Sequence, residues 1–196
     1  MTNQTAVLDE TMELESPQEQ SSPAILSGPP EARSAELPAW FRDQQRAAWA
    51  KFESLPYPNR KDQPWRFSNV RALDLSSYTS GAPLSQAQRE EVLESSVGLQ
   101  EVAGRLIFAD DQLLRRDPLP QKLLASGVIL KPLERALIEH EDLFRRHFMV
   151  QPATLGSAKF AALHEAFVTS GTFVYVPRGV EVELPIEIFH WLTGDN

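Results

Sequence analysis

Between Thr154 and Trp191 the hydrophobic spacing of the chain switches from a helical to an extended period, and the punctuation switches with it. From Ser157 the chain reads Ser-Ala-Lys-Phe-Ala-Ala-Leu-His-Glu-Ala-Phe, with Phe160, Leu163 and Phe167 at i, i+3 and i+7. That spacing predicts a short amphipathic helix buried along those three residues, with Ser157 capping its first turn. Ser170-Gly171 is expected to end it, because glycine takes the left-handed conformation past a helix C-terminus at little cost. The period then becomes two: Phe173 and Tyr175 point one way, Val174 and Val176 the other. After a turn at Pro177-Arg178-Gly179, Val180, Val182, Leu184, Ile186 and Ile188 share one face and Glu181, Glu183 and Glu187 the opposite one. This predicts a strand run with one buried side. Pro185 lacks an N–H in mid-run, and the run exceeds the roughly five or six residues of a typical strand, so a bend is expected there. Short one-sided strands that turn corners at Pro and Gly suit a β-helix coil or a β-sandwich, and periodicity alone does not choose between them.

The chain upstream divides in two. Residues 1–36 are rich in Ser, Pro, Gln and Glu and carry seven acidic groups against Arg33 alone, a net −6 of the chain's −8. Such a segment buries too little apolar surface to offset its ordering entropy and reads as a disordered acidic tail. Residues 37–150 read as a helical, α+β module. Pro38 opens a helix along which Phe41, Ala48, Phe52 and Leu55 follow i, i+7, i+11 and i+14 until Pro56 stops it. Trp40, Trp49 and Phe52 give it a wide aromatic face, read as core in preference to a partner surface. A stiff connector, Pro56 to Pro64, leads to Trp65-Arg66-Phe67, where Arg66 either offers its guanidinium to a ligand or stacks within the fold. Ser85 opens a helix through Glu94. Arg105–Ala109 and Gln112–Arg115 around Asp110-Asp111 make a hairpin, Gly127–Leu130 a strand, and two helices follow, one from Pro132 to about Glu139 and one over Asp142–Phe148. Residues 151–196 form the third division, the strand-rich one.

Composition excludes several classes of function. The 196 residues contain no cysteine, so there is no disulfide framework and no thiolate for zinc, nucleophilic catalysis or an iron–sulfur cluster. No basic stripe tracks a phosphate backbone, so no nucleic-acid partner is expected. No apolar run approaches the ~18 residues of a membrane span and no signal-peptide pattern is present, so no membrane is expected and a cytoplasmic location is. Glu139-His140-Glu141-Asp142 with His147 resembles a metal cluster. On one helix, however, the two histidines would be about 10.5 Å apart along the axis, too far for a single ion, and the group reads as a solvated junction balanced by Arg145 and Arg146. His164 reads as a packed histidine. His190, beside Trp191, could be the first ligand of a truncated cupin-type metal-binding β-barrel, but no further ligands follow before Asn196. No phosphate loop, nucleophile elbow or triad is present, so the expectation is no enzyme and no catalytic, cofactor-binding or metal residues on this segment.

Two phrases carry a resemblance. Leu155 to His164, Gly171 to Val180 and Glu183-Leu184-Pro185-Ile186 together resemble the SufB/SufD family of iron–sulfur cluster assembly proteins. Lys61, Trp65, Arg66, Phe67 and Ser68 match a second family pattern, although Gln63 stands where an acidic residue is usual. The SufD branch is the nearer, since the SufB branch has Cys-Pro after the Pro-x-Gly-Val turn and this chain has Glu181-Val182. The resemblance implies a mixed α/β N-terminal module followed by the first strands of a right-handed parallel β-helix. It implies a scaffold that assembles with a SufB-like subunit and a SufC-like ATPase in a SufBCD-type SUF complex. An iron–sulfur cluster, with a flavin as a second candidate, belongs to the assembled complex. Family members continue for about as long again beyond Asn196, so the chain is expected to be the N-terminal portion of such a protein. An edge left open across Val180–Ile188 would then favour edge-to-edge association.

Overall fold

The computed structural model describes residues 28, 36–75, 83–151 and 157–193. Nearly all of the acidic tail, and the Leu155-Gly156 start of the family phrase, lie outside them. Helix α1 spans Ala39–Ser54 and is opened, as expected, by Pro38, whose carbonyl accepts from Phe41 N at 3.0 Å and Arg42 N at 3.2 Å. Its buried side is Phe41, Gln45, Ala48 and Phe52. Gln45 breaks the apolar pattern: its amide nitrogen donates to Val168 O at 2.9 Å, while its buried Oε1 has no hydrogen-bond partner among the described residues. Trp40 and Trp49 pack inward, Trp40 against Phe41 and Phe144, Trp49 against Phe167, which supports the core reading of the aromatic face.

In chain order the remaining elements are α2 (Gln86–Ser95), β1 (Gly104–Ala109), β2 (Gln112–Asp117), α3 (Gln121–Ala125), β3 (Ile129–Pro132), α4 (Leu133–Glu139), α5 (Glu141–His147), α6 (Ala158–Phe167), β4 (Thr172–Tyr175) and β5 (Ile186–Trp191). The hairpin forms where the alternation placed it. Asp110 takes the left-handed conformation at φ 51, and the register shift opposite Ile107 and Phe108 leaves Leu114 as the extra, bulged residue of β2. Ser85 caps α2 in a reciprocal capping box with Gln88.

Helix α6 corrects the predicted face by one residue. Ser157 caps it as expected, accepting from Lys159 N, yet its buried positions are Lys159, Ala162 and Ala166, not Phe160, Leu163 and Phe167. The two alanines let α6 lie close along α1, antiparallel to it, while the rings splay to the flanks: Phe160 meets Tyr57 and Trp65, and Phe167 meets Trp49. The helix also stops at Phe167, three residues before Ser170, because Val168 is already extended. Gly171 instead hands the chain to β4, its carbonyl accepting from Leu133 N at 2.9 Å.

The strands form two open sheets, β2-β1-β5 and β3-β4. β1 is antiparallel to β2 and parallel to β5, and β3 is antiparallel to β4. Because side chains alternate along β1, its Leu106 and Phe108 enter one core with Leu119, Val128 and Leu130, while Ile107 and Ala109 enter another with Val92 of α2. A third core joins Phe41 to Leu137 and Phe144.

The run after Gly179 is not one strand. Val180–Pro185 lies outside any ladder, and pairing begins at Ile186, directly after the proline where a bend was expected. Its faces also differ from the expectation. Val180, Val182 and Ile186 pack on the core, Leu184 and Ile188 are exposed, and Glu187 turns inward because its register partner on β1 is Arg105.

Candidate functional site

The edge formed by β5 is the most distinctive surface. Its inner side is locked to β1, with Ala103 N and Asp110 N donating to Pro185 O and Trp191 O at either end, and β5 has no strand partner on its outer side among the described residues. Beside that open edge Leu184 and Ile188 are 42 % and 41 % exposed, and Leu192 beyond it is 90 % exposed. An edge of this kind, with unpaired backbone groups beside apolar side chains, accepts another strand or a covering layer. What fixes it is a cross-strand clasp. Arg105, between Asp117 of β2 and Glu187 of β5, donates to Glu187 through Nε at 2.8 Å and Nη2 at 2.7 Å. Glu187 also accepts from Leu99 N at 2.8 Å. That backbone hydrogen bond first, and Arg105 after it, hold the Glu187 carboxyl below the ordinary carboxylate range against the opposing effect of burial.

Two of the four histidines come together on one groove, and His164, expected to be packed, is exposed there. His164 and His190 both line a cavity of about 500 Å³ between α6 and the tip of the β1–β2 hairpin, with Phe160, Phe167, Asp110 and Asp111. His190 lies flat on Phe108, its partner in the β1–β5 register, with ring centres 4.7 Å apart and planes at 3°. Asp110 accepts from Thr193 N at 3.0 Å and from its hydroxyl, so this carboxylate anchors the chain leaving β5. Among the described residues no group of three or more His, Asp or Glu is arranged to hold a metal ion. His140 and His147 do not share a helix. His140 is the junction between α4 and α5, and the surrounding charges are paired locally, Glu139 with Lys131 and Arg135, and Glu141 with Arg145.

The Trp65-Arg66-Phe67 phrase splits in two directions. Trp65 packs on Phe160 with ring centres 5.6 Å apart, whereas Phe67 is 89 % exposed with the Arg66 guanidinium 4.5 Å above its ring. One site residue escaped sequence reasoning altogether: Lys159, 6 % exposed, whose ammonium donates to Phe52 O at 2.6 Å and Leu55 O at 2.7 Å. The signal was Pro56, which has no N–H for the Phe52 carbonyl four residues before it.

The family model for the SufBD protein N-terminal region matches residues 32–188. Iron-sulfur cluster assembly protein SufD of Bacillus subtilis (strain 168) is 30% identical over 152 residues, covering 76% of this chain and 34% of that protein. SufB of the same strain is 28% identical over 177 residues, covering 84% and 37%. An iron-sulfur cluster assembly SufBD family protein of Staphylococcus haemolyticus (strain JCSC1435) is 27% identical over 177 residues, with the same coverage of 84% and 37%. These are proteins of iron–sulfur cluster assembly. The chain belongs to the SufB/SufD family, and residues 32–188 correspond to its N-terminal region. It spans about a third of the length of the curated relatives it matches. The family displaces the cupin reading of His190, and the matches to SufD and SufB are of similar strength.

Proposed function

We propose that this chain is the N-terminal part of a SufD-like scaffold subunit of a SufBCD-type complex, itself non-enzymatic, acting in the cytoplasm with a SufB-like subunit and a SufC-like ATPase. The observation that carries the reading is β5, a strand parallel to β1 whose far edge has no strand partner among the described residues and is flanked by exposed apolar residues. On this reading the further rungs of a right-handed parallel β-helix stack along that open side. The nascent cluster is cargo of the complex, assembled with a flavin among its candidate cofactors, and a segment without cysteine offers it no thiolate. No helix among the described residues is long and apolar enough to cross a membrane, in keeping with a complex that works away from one. Glu181-Val182 after the turn supports the SufD branch, since the resembling SufB phrase carries Cys-Pro there.

Co-expression of the full-length protein with SufB-like and SufC-like proteins, followed by size-exclusion chromatography, tests the assembly. A stable co-eluting complex is expected, and three separate peaks would overturn the reading.

A further inference from the structure

The connector after α1 is tied down by its own hydrogen bonds and ring contacts, and it carries three cations to one carboxylate. Asn59 N donates to the Asp62 carboxylate at 2.8 Å, Lys61 N donates to Asn59 Oδ1 at 2.9 Å, and Tyr57 and Trp65 both pack on Phe160. From this fixed backbone Arg60, Lys61 and Arg66 project into solvent, and none has a carboxylate partner among the described residues. Asp62, the nearest acid in sequence, spends its carboxylate on the loop's own backbone. Arg60 and Lys61 line a cavity of about 410 Å³ with Asn59, Ser68 and Asn69, and the exposed Phe67 stands beside it in sequence. The surface thus offers three cations, amide and hydroxyl groups, and one aromatic ring in water.

We propose that residues 58–69 are a docking surface for the chain's own acidic segment, Val7 to Glu15. That segment reads Val-Leu-Asp-Glu-Thr-Met-Glu-Leu-Glu and carries both chemistries the loop lacks. Asp9, Glu10, Glu13 and Glu15 supply carboxylates for the two guanidiniums and the ammonium, while Leu8, Met12 and Leu14 supply apolar side chains for Phe67. The covalent path allows it. Residues 16–35 separate the segment from Glu36, and twenty residues reach at most ~70 Å. The 16-residue helix α1, which runs from that end of the fold to the loop, is only ~24 Å long. Because the partner is tethered, its effective concentration is on the order of millimolar, so weak ion pairing is enough to populate the contact. The association is between exposed charges and therefore weakens with salt.

Zero-length carbodiimide crosslinking of the monomeric protein, read by peptide mass spectrometry, tests the proposal. In 20 mM salt Lys61 is expected to link to Asp9, Glu10, Glu13 or Glu15 at least ~10-fold more than Lys51, which is exposed on α1 and serves as the control, and 0.5 M salt should abolish the preference. A mixture of ¹⁴N and ¹⁵N chains reports whether each link lies within one molecule. Links between copies, links to a different polypeptide, or equal linking of Lys51 and Lys61 would each overturn it. A second measurement does not depend on crosslinking: neutralising the segment by D9N, E10Q, E13Q and E15Q is expected to raise hydrogen exchange of amides 59–69 severalfold. Unchanged exchange there would count against docking.

Discussion

Replacing Lys159 by methionine is the sharpest test of how α1 and α6 are joined. The Lys159 ammonium is the donor for two carbonyls at the end of α1, Phe52 O at 2.6 Å and Leu55 O at 2.7 Å, and it lies 4.2 Å and 4.4 Å from the ring centres of Phe52 and Tyr57. Pro56 leaves the Phe52 carbonyl without its usual i+4 partner, so no backbone group can substitute. Met keeps the length and apolar stem of lysine and deletes only the charge. Two hydrogen bonds to a charged group are worth about 1.5–3 kcal/mol each, and the ring contacts add ~1 kcal/mol. Against that, the variant no longer bears the several kcal/mol needed to desolvate an ammonium. The net loss is about 2 kcal/mol, the same order as burying one carbonyl unsatisfied. With a urea m-value of about 2 kcal/mol/M, the midpoint of unfolding should fall by ~1 M. Lys122→Met is the control, since Lys122 is 87 % exposed in its side chain and only 3.7 Å from an equally solvated Glu183; it should leave the midpoint within ~0.2 M. A Lys159→Met midpoint equal to that of the control would refute the capping role.

Other positions give independent tests. Because the Glu187 carboxyl is held below its unfolded value, the unfolded chain takes up that proton first. The stabilisation is therefore full above the unfolded carboxylate pKa and is lost as pH falls through the folded one. Urea midpoints between pH 3 and 6 should depend less steeply on pH in Glu187→Gln than in the parent protein, and parallel curves would contradict the clasp. A Cβ at Gly98 would overlap the Glu187 carboxylate, which is pinned by Leu99 N and Arg105. Gly98→Ala should cost about 1–3 kcal/mol by overpacking, and a double-mutant cycle with Glu187→Ala should remove most of the cost. Trp191→Phe deletes the Nε1 bond to Ser96 Oγ at 2.9 Å and should lower stability by about 1 kcal/mol in the same urea assay, whereas an unchanged midpoint would mean that Ser96 is satisfied by Val92 O alone.

The local elements could be read from the sequence because each is decided within a few residues. Alternation and a polar pair place the β1–β2 hairpin, Pro38 and Pro56 bracket α1, and Ser157 caps α6. Three of the departures involve polar residues whose partners are distant in the chain. By polarity alone Lys159, Glu187 and Gln45 belong in water. Each is instead drawn inward by a group about a hundred residues away: the Phe52 carbonyl, Arg105 and the Val168 carbonyl. No window of the sequence contains both halves of such a pair. The shift of the α6 face from Phe160, Leu163 and Phe167 to Lys159, Ala162 and Ala166 follows from the same cause, since a helix rotates to bring its tightest long-range contact inward and small residues permit the approach. The rings displaced by that rotation then do two jobs at once: Phe160 seats the Trp65 loop and also lines the groove with His164 and His190. Both candidate surfaces on this side of the molecule are therefore positioned by one helix. A substitution that loosens Lys159 should disturb the loop at 58–69 and the histidine groove together, whereas one confined to the Arg105 clasp reaches the groove only through His190 on β5 and should leave the loop at 58–69 intact.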